Sequence, residues 1–266
     1  MHNPPKNIVD QFGREHDYLR ISLTERCNLR CFYCMPEEGI QLRDKSEFMT
    51  SEETLHIAKV FTDLGVKKIR LTGGEPLIKK DAPRLIEELG KLPVELAITT
   101  NGILIDKFID VFKKAGLQNV NVSLDSLQEE KMFKITRRDY FEKIMSGIHL
   151  LLLNNFNVKI NAVVMKGVND NEITDFIHWT KSLPLHVRFI EFMPFDGNQW
   201  NWDKKVSYKK MMDIITLHFG SGSVIRIADA ANDTARNYRI QGHEGTFGII
   251  SPVTNPFCDT CNRIRL

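Results

Sequence analysis

Short runs of β-branched and aliphatic residues alternate along the chain with stretches in which apolar residues recur every three or four positions. This rhythm predicts strands that are each followed by a helix, and therefore a parallel sheet covered by helices. The predicted strands are Tyr18–Leu23, Lys68–Thr72, Glu95–Thr99, Asn119–Leu124, Val158–Val164 and Val187–Phe192. The predicted helices are Ser51–Leu64, Asp106–Ala115, Tyr140–Leu153, Glu172–Lys181 and Tyr208–Phe219. Six βα units are too few to close an eight-stranded barrel, so we predict an α/β fold with a partial (β/α)6 barrel of the TIM type. A doubly wound open sheet is the alternative.

The strand–helix rhythm stops after Phe219. The segment Gly220–Gly222 is typical of a linker, and the two runs Arg236–Ile240 and Thr246–Ile250 predict a β-hairpin. We therefore predict two regions, with the partial barrel in residues 1–219 and a small β-containing extension in residues 220–266.

The composition is ordinary for a soluble globular protein, with 42% hydrophobic and 26% charged residues. A net charge of +2 gives no long-range attraction to nucleic acids or acidic membranes. The first residues are polar and lack the apolar stretch of a signal peptide. The longest aliphatic run, Leu150–Leu153, is too short to cross a bilayer. We expect a cytoplasmic protein with neither a nucleic-acid nor a membrane partner.

The cysteines suggest the chemistry. All five fall into two tight groups, which are Cys27, Cys31 and Cys34 after the first strand and Cys258 and Cys261 near the end. Three thiolates can hold three corners of a four-iron cluster and leave the fourth iron open to a small molecule. A zinc site completed by His16 or Glu25 is the alternative for this loop. The C-x2-C pair alone is ambiguous between half a zinc ribbon, a redox pair and ligands of a second cluster.

Polar turns follow the predicted strands. The turn Thr72–Pro76 contains Gly73, Gly74 and Glu75, and the next strands end in Thr99–Gly102 and Ser123–Ser126. Because the carboxyl ends of parallel strands meet at one rim, where ligands bind, we expect these turns to line a site. The two glycines would let the backbone approach a ligand closely, and Glu75 could receive an ammonium group.

Positive charges lie within the strands themselves, at Arg20, Lys68, Arg70, Lys159 and Arg188. Charges on buried strands are costly unless an opposite charge meets them. Inside a barrel they would form a socket for a polyanion such as a triphosphate. Internal ion pairs with Glu95 or Glu191 are the alternative. Arg263 and Arg265, beside the C-terminal cysteines, favour a site that also meets an anion.

Taken together, these motifs resemble the radical S-adenosylmethionine (SAM) superfamily, and more narrowly its GTP 3′,8-cyclase family of molybdenum cofactor biosynthesis. The resemblance runs from about Gly13 to Leu266 and is carried by the cysteine triad with Phe32-Tyr33, the Gly73–Pro76 turn, Arg188–Met193 and Phe257–Leu266. It implies a lyase that converts GTP to 3′,8-cyclo-7,8-dihydro-GTP. In that reaction, reductive cleavage of SAM yields a 5′-deoxyadenosyl radical, which removes hydrogen from the GTP ribose.

The resemblance also implies the binding residues. A first [4Fe–4S] cluster, which chelates SAM, would be held by Cys27, Cys31 and Cys34, and a second [4Fe–4S] cluster would take two of its three ligands from Cys258 and Cys261. SAM would be bound by Tyr33, Gly73, Gly74, Glu75, Ser123 and Met193. GTP would be bound by Arg20, Lys68, Arg70, Thr99, Lys159, Arg188, Arg263 and Arg265.

The family's third ligand of the second cluster and its glycine tail would lie beyond Leu266, so the sequence resembles a C-terminally truncated member. We expect a labile or absent second cluster and impaired GTP turnover, with SAM cleavage retained. Expected partners are an electron donor, a second copy of the chain in a homodimer, and the downstream cyclic pyranopterin monophosphate synthase. Two other functions stay open, namely a peptide-modifying radical SAM enzyme and a nucleotide-binding protein stabilised by zinc or a cluster without radical chemistry.

Overall fold

The structure is a computed structural model that describes residues 7–36, 39–194, 202–230 and 232–266. Its helices are α1 Ser51–Asp63, α2 Ala82–Leu89, α3 Ile105–Lys114, α4 Glu129–Thr136, α5 Phe141–Leu153, α6 Ile173–Trp179 and α7 Tyr208–Phe219. Its strands are β1 Tyr18–Ser22, β2 Lys68–Thr72, β3 Glu95–Thr100, β4 Asn119–Ser123, β5 Asn157–Val164, β6 His186–Glu191, β7 Val224–Arg226, β8 Arg236–Ile240, β9 Thr246–Ile250 and β10 Arg263–Arg265.

The described strands form one sheet in the order β10-β1-β2-β3-β4-β5-β6-β9-β8-β7. Strands β1 to β6 pair in parallel in the order of the sequence, which confirms the predicted α/β architecture. The predicted hairpin is also present, since β8 pairs with β9 in an antiparallel arrangement. In addition, β9 joins β6 and β10 joins β1, both in parallel. The C-terminal region therefore continues the same sheet at both edges, and its division from the barrel at residue 219 stays a prediction.

One face of this sheet packs beneath the helices and forms the apolar core. Successive strands place buried aliphatic side chains there, such as Leu19, Ile21, Ile69, Leu71, Ile98, Val120, Val122, Ile160 and Phe189. Because side chains alternate between faces, the residues between them point to the opposite side. That side, called here the polar face, carries Tyr18, Arg20, Lys68, Arg70, Thr99, Asn121, Ser123, Lys159, Asn161, His186 and Arg188.

The sheet curls around its polar face. In a flat sheet, β2 and β6 would lie about 19 Å apart, at about 4.8 Å per strand. Yet the pKa of Arg188 on β6 is lowered first by burial and then by the positive charge of Arg70 on β2. The charge of Arg20 on β1 lowers it further. This coupling across intervening strands agrees with the curvature of a partial barrel whose interior is the polar face.

The ends of α1 follow the predicted local signals. Thr50 accepts a hydrogen bond from the backbone of Glu53, and Glu53 binds back to the Thr50 backbone, which forms a capping box. After the helix, Gly65 has a positive φ of 91°, a conformation that favours glycine.

Several elements were not predicted. Helices α2 and α4 each span only eight residues, too few for a clear apolar period. Strand β10 has three residues, of which two are arginines, and its pairing with β1 is a long-range contact. Helix α6 is shorter at both ends than the predicted Glu172–Lys181, because Glu172 belongs to the 3-10 turn Asp170–Glu172 and Thr180 caps the helix after Trp179. Within the described residues, no helix is both long enough and apolar enough to span a membrane.

Candidate functional site

The loop that carries the three clustered cysteines lies after β1 and is anchored to the end of α4. The backbone N–H of Arg30 donates to Thr136 O at 2.9 Å, and that of Phe32 donates to Ile135 O at 3.0 Å. The last carbonyls of a helix lack donors within the helix, so these bonds satisfy both partners. The Arg30 guanidinium also donates to Cys27 O at 2.6 Å. The loop is therefore fixed to the end of α4, and the Arg30 side chain ties its two halves together.

The three thiols of this loop influence one another electrostatically. Burial is the main cause that raises the pKa of each thiol, to well above its ordinary value for Cys31. Negative charge on Asp125 and on the neighbouring thiols adds to the rise for Cys31 and Cys34. Thiolates are the form that binds metals. Because burial and mutual repulsion oppose ionisation, the three thiols need a positive charge nearby to become thiolates. An iron–sulfur core would supply that charge, so the donor set fits such a cluster.

The described residues contain no group of three His, Cys, Asp or Glu side chains gathered tightly enough to hold a single metal ion. The fit to a cluster therefore rests on the chemistry and mutual coupling of the thiols, together with the cradle that surrounds them.

The Gly73-Gly74 turn after β2 forms that cradle. Gly74 N donates to Thr24 O at 2.6 Å, which brings the turn against the backbone that leads to Cys27. Gly73 has a φ of 146°, in the region that favours glycine. A Cβ added to Gly74 would lie 2.1 Å from the carbonyl oxygen of Arg26, far closer than atoms can approach. Only glycine lets the two backbones meet here.

Glu75 connects the same turn to the end of β3. Its carboxylate accepts hydrogen bonds from Thr100 Oγ1 at 2.8 Å, from Asn101 N at 2.6 Å and from Leu77 N at 3.0 Å. Burial raises the pKa of Glu75 to about 7, although all three hydrogen bonds oppose the rise. The side chain of Asn101 in turn lies 3.9 Å from Cys27 Sγ. The predicted contact of Glu75 with SAM stays a prediction, and the structure shows a carboxylate that fixes the turn and Asn101.

Tyr33, between the second and third cysteines, is held by Asp125 at the end of β4. The phenol donates to Asp125 Oδ2 at 2.7 Å, while Val163 N donates to Asp125 Oδ1 at 2.8 Å. Burial raises the pKa of Tyr33 well above its ordinary range and that of Asp125 to about 6. Ser123 lies two residues before Asp125, and the exposed Met193 follows β6. The residues predicted to bind SAM thus come from the carboxyl ends of several strands, which form one rim.

Deeper on the polar face lie Arg20, Lys68, Arg70, Lys159 and Arg188, called here the cation cluster. Arg20 is paired with Arg70 across β1 and β2. Burial, and then the charge of Arg70, lowers the pKa of Arg188 to about 9. Burial also lowers the pKa of Lys159, and Arg188 and Lys68 lower it further. These shifts show that the cations are close enough to repel one another.

The structure distinguishes between the two interpretations of these cations. Lys68 forms an ion pair with Glu95, with Nζ and Oε1 2.6 Å apart. Among the described residues, the other four cations have no carboxylate within 4.0 Å of their charged nitrogens. Glu191, the other candidate, instead accepts hydrogen bonds from the backbone of Val253 and Thr254, each at 3.0 Å. The ion-pair alternative is therefore wrong for Glu191, and the arrangement favours an anion socket.

Unpaired polar atoms mark the same interior. Arg20 Nε, Arg263 Nε and Asn121 Oδ1 are buried and have no hydrogen-bond partner in the part of the chain that the structure describes. Asn121 is paired with Thr99 across β3 and β4. Buried donors and acceptors normally have partners, so such a group points to a missing ligand or water. Two donors from cations and one amide acceptor suit a ligand with anionic oxygens and a polar base.

The C-terminal cysteines lie beside this interior. Strand β10 places Arg263 opposite Tyr18 and Arg265 opposite Arg20. Burial raises the pKa of Cys261, but hydrogen bonds from Arg263 and the positive charge nearby outweigh burial and lower it. Cys258 is exposed, and its carbonyl accepts a hydrogen bond from the Arg14 guanidinium at 2.5 Å. Cys261 thus has the electropositive surroundings of a metal-binding thiolate.

Sequence reasoning missed Tyr18 and His186 as residues of this site, and it predicted Asn101 and Asp125 only as members of polar turns. Asn101 and Asp125 belong to the polar turns that were predicted to line the rim, but no local signal identified the side chains that they contact. His186 begins β6, opposite Lys159, and hydrogen-bonds to Thr246 Oγ1 through Nδ1 at 2.7 Å.

His186 should make the fold sensitive to acid. Burial, followed by the charges of Arg188 and Lys159, lowers its pKa to about 3. In the unfolded chain, histidine titrates near its ordinary value of about 6.5. The folded state therefore holds a neutral imidazole, whose contribution to stability is complete above pH ~6.5 and falls as the pH drops from there toward 3. Between pH 7 and pH 5 this one group should cost about 2 kcal/mol of unfolding free energy. Urea unfolding should show that His186→Gln loses correspondingly less over this interval, and equal losses would contradict the prediction.

Comparison with known proteins places these features in a family. The profile of the Radical SAM superfamily matches residues 21–180, and the profile of Molybdenum Cofactor Synthesis C matches residues 185–266. The chain is 47% identical over 265 residues to molybdenum cofactor biosynthesis protein moc-5 of Caenorhabditis elegans. The aligned region covers 99% of this chain and 44% of that protein. The chain is also 43% identical over 263 residues to the GTP 3′,8-cyclase of Petrotoga mobilis, in an alignment that covers 97% of this chain and 80% of that enzyme.

Among solved structures, Streptococcus suis SuiB superposes with a TM-score of 0.65 at 18% identity, over 90% of this chain and 51% of SuiB. At this identity the likeness shows the fold alone. The chain spans less than half the length of several curated relatives, including 41% of human molybdenum cofactor biosynthesis protein 1, to which it is 46% identical.

Proposed function

Because this chain belongs to the radical SAM superfamily, and within it to the family that includes the GTP 3′,8-cyclases, we propose that it cyclises GTP in the first step of molybdenum cofactor biosynthesis. The observation that best supports this proposal is the cation cluster, which lies within the same curled sheet whose rim carries the cysteine loop. A radical generated at the rim could reach a nucleotide whose phosphates are held in the interior.

At the rim, Cys27, Cys31 and Cys34 would hold a [4Fe–4S] cluster, which would supply the electron that cleaves SAM. The chain's own residues would bind and orient SAM there. The Gly73-Gly74 turn offers close backbone approach, while Tyr33 is fixed by Asp125. Ser123 and Met193 would complete the SAM site.

In the interior, Arg20, Lys68, Arg70, Lys159 and Arg188 would bind the triphosphate, with Thr99, Arg263 and Arg265 around the rest of the nucleotide. Binding energy from this remote, unreactive group would position the ribose near the radical. Enclosure by the sheet would also exclude water from the reacting atoms. GTP thus carries the negative charge that this site can neutralise.

We extend the proposal to a second [4Fe–4S] cluster, with Cys258 and Cys261 among its ligands. The electropositive surroundings of Cys261 support a thiolate there. An electron donor, a second copy of this chain and a downstream cyclic pyranopterin monophosphate synthase are the expected partners.

The proposal is tested by anaerobic reconstitution of the protein with iron and sulfide, followed by addition of dithionite, SAM and GTP. Formation of 5′-deoxyadenosine together with a cyclised guanine nucleotide is the expected result. If no 5′-deoxyadenosine appears although iron and sulfide are bound, the radical assignment is wrong. If SAM is cleaved but GTP neither binds nor changes the rate, a peptide-modifying enzyme becomes the better interpretation.

Arg70→Ala should weaken GTP binding by roughly 10- to 100-fold, because a hydrogen bond to a charged group contributes about 1.5–3 kcal/mol. Arg70 is buried on the polar face, with 5% of its surface exposed. Arg84→Ala is the matched control, because Arg84 lies on the outside of α2 with 73% of its side chain exposed. Equilibrium dialysis against GTP should separate the two variants, and equal affinities would argue against a phosphate site at Arg70.

A further inference from the structure

Tyr18 contacts three of the five members of the cation cluster, namely Arg20, Lys68 and Arg70. It begins β1, on the polar face, where it is paired with Lys68 of β2 on one side and with Arg263 of β10 on the other. Arg70 Nε donates a hydrogen bond to the Tyr18 phenol oxygen at 2.6 Å. The Arg20 guanidinium carbon lies 5.3 Å from the centre of the Tyr18 ring, and Lys68 Nζ lies 5.6 Å from it. One phenol therefore contacts three cations from two strands.

These contacts have a common electrostatic basis. The face of an aromatic ring is electron-rich and attracts cations, and the phenol oxygen can accept a hydrogen bond. A second hydrogen bond, from Arg70 Nη1 to Ile98 O at 3.0 Å, fixes the guanidinium plane further. Burial alone would raise the pKa of the Tyr18 phenol, but Arg70 and Arg20 outweigh burial and lower it. The cations thus stabilise negative charge on the phenol oxygen.

A phenol suits this position better than a carboxylate. Like-charged side chains that share a small interior repel one another, and each needs a favourable neighbour when no ligand is bound. A carboxylate would supply that neighbour but would also cancel a full positive charge and compete with the anion. Lys68 already has such a partner in Glu95. For Arg20 and Arg70, tyrosine offers an acceptor atom and a ring face without a full negative charge, so these two arginines keep their attraction for anions.

We propose that Tyr18 is a positioning residue that holds Arg20, Lys68 and Arg70 in the arrangement that receives the phosphate groups of the nucleotide. This inference rests on the proposed function, because the ligand is the triphosphate of GTP. Tyr18 would not touch the nucleotide itself and would act on it only through these three cations. The effect of Tyr18 should therefore depend on the number of phosphates in the ligand.

Two variants separate the contributions of Tyr18. Tyr18→Phe keeps the ring and both cation–ring contacts but removes the acceptor of the Arg70 hydrogen bond. Tyr18→Leu removes the ring as well. Affinities for GTP and for guanosine would be measured by anaerobic equilibrium dialysis on the reconstituted protein. Tyr140→Phe is the control, since Tyr140 precedes α5 and is partly exposed outside the sheet interior.

Tyr18→Phe should weaken GTP binding by about tenfold, as expected for loss of one hydrogen bond to a charged group. Tyr18→Leu should weaken it by roughly a further three- to fivefold through the lost ring contacts. Guanosine affinity and SAM affinity should stay within about twofold of the wild type, because neither ligand places phosphates on the cations. A merely structural role would lower all three affinities together.

Two results would overturn the inference, namely unchanged GTP affinity in Tyr18→Phe or equal losses for GTP and guanosine. Failure of the proposed function gives a different result, because the wild type itself would then not bind GTP. Since Tyr18→Phe removes a single oxygen atom, it also keeps the test valid if Tyr18→Leu fails to fold.

Discussion

Cys31→Ala is expected to abolish the reductive cleavage of SAM. Cys31 would hold one corner of the cluster in the loop between β1 and α1, and its backbone carbonyl also accepts hydrogen bonds from Cys34 N and Met35 N, both at 2.9 Å. The substitution leaves this backbone turn intact but removes a thiolate. Changes in the surroundings of a metal ligand already cost about 10–100-fold, so loss of a ligand should reduce 5′-deoxyadenosine formation by more than ~100-fold.

Cys258→Ala is the matched control for this experiment. It also removes one thiol, but from the separate C-terminal pair, so SAM cleavage without GTP should persist. Iron content and 5′-deoxyadenosine would be measured in parallel after anaerobic reconstitution. If Cys31→Ala retained SAM cleavage, or if Cys258→Ala lost it, the assignment of the first cluster to the loop at residues 27–34 would be wrong.

The sequence predicted those parts of the fold and site that depend on local patterns. Alternation along Lys68–Thr72 and Val158–Val164 located strands and placed Arg70 and Lys159 where a charge needs an opposite charge, either from an anion or from a carboxylate of the chain. The structure confirms the strands, and the pKa shifts show that the cations are close together. The cysteine loop was equally visible, because its spacing is a local property.

Features that depend on contacts distant in sequence could not be predicted in this way. Strand β10 is short and basic, and its position beside β1 is set by pairing over more than two hundred residues. Glu191 looked like a partner for a cation, yet it fixes the segment that leads to Cys258. The importance of Tyr18 appears only when the neighbouring strands place Lys68 and Arg70 beside it. An aromatic residue at the start of a strand is too common to indicate such a role.

Gly74→Ala is expected to disrupt the rim more strongly than the same substitution at the neighbouring Gly73. The new Cβ would lie 2.1 Å from Arg26 O, 2.6 Å from Arg26 C and 2.7 Å from Glu25 O, all of them backbone atoms. A Cβ atom essentially never approaches another heavy atom to within 3.0 Å, so the turn or the cysteine loop must move. Overpacking of this kind costs about 1–3 kcal/mol where the structure can adjust. Here the adjustment would displace the backbone that leads directly to Cys27.

We therefore expect Gly74→Ala to bind less iron after reconstitution and to lower SAM affinity by roughly 10- to 100-fold, which corresponds to about 1.4–2.8 kcal/mol. Gly222→Ala is the control, because a Cβ at Gly222 would meet no atom within 4 Å. That variant should change stability by no more than about 0.5 kcal/mol and leave iron content unaltered. Iron analysis and SAM binding on both variants decide the matter. A methyl group at this contact cannot be accommodated without moving one of the two backbones. If Gly74→Ala nevertheless loads iron and binds SAM as well as Gly222→Ala does, the turn after β2 does not support the cysteine loop.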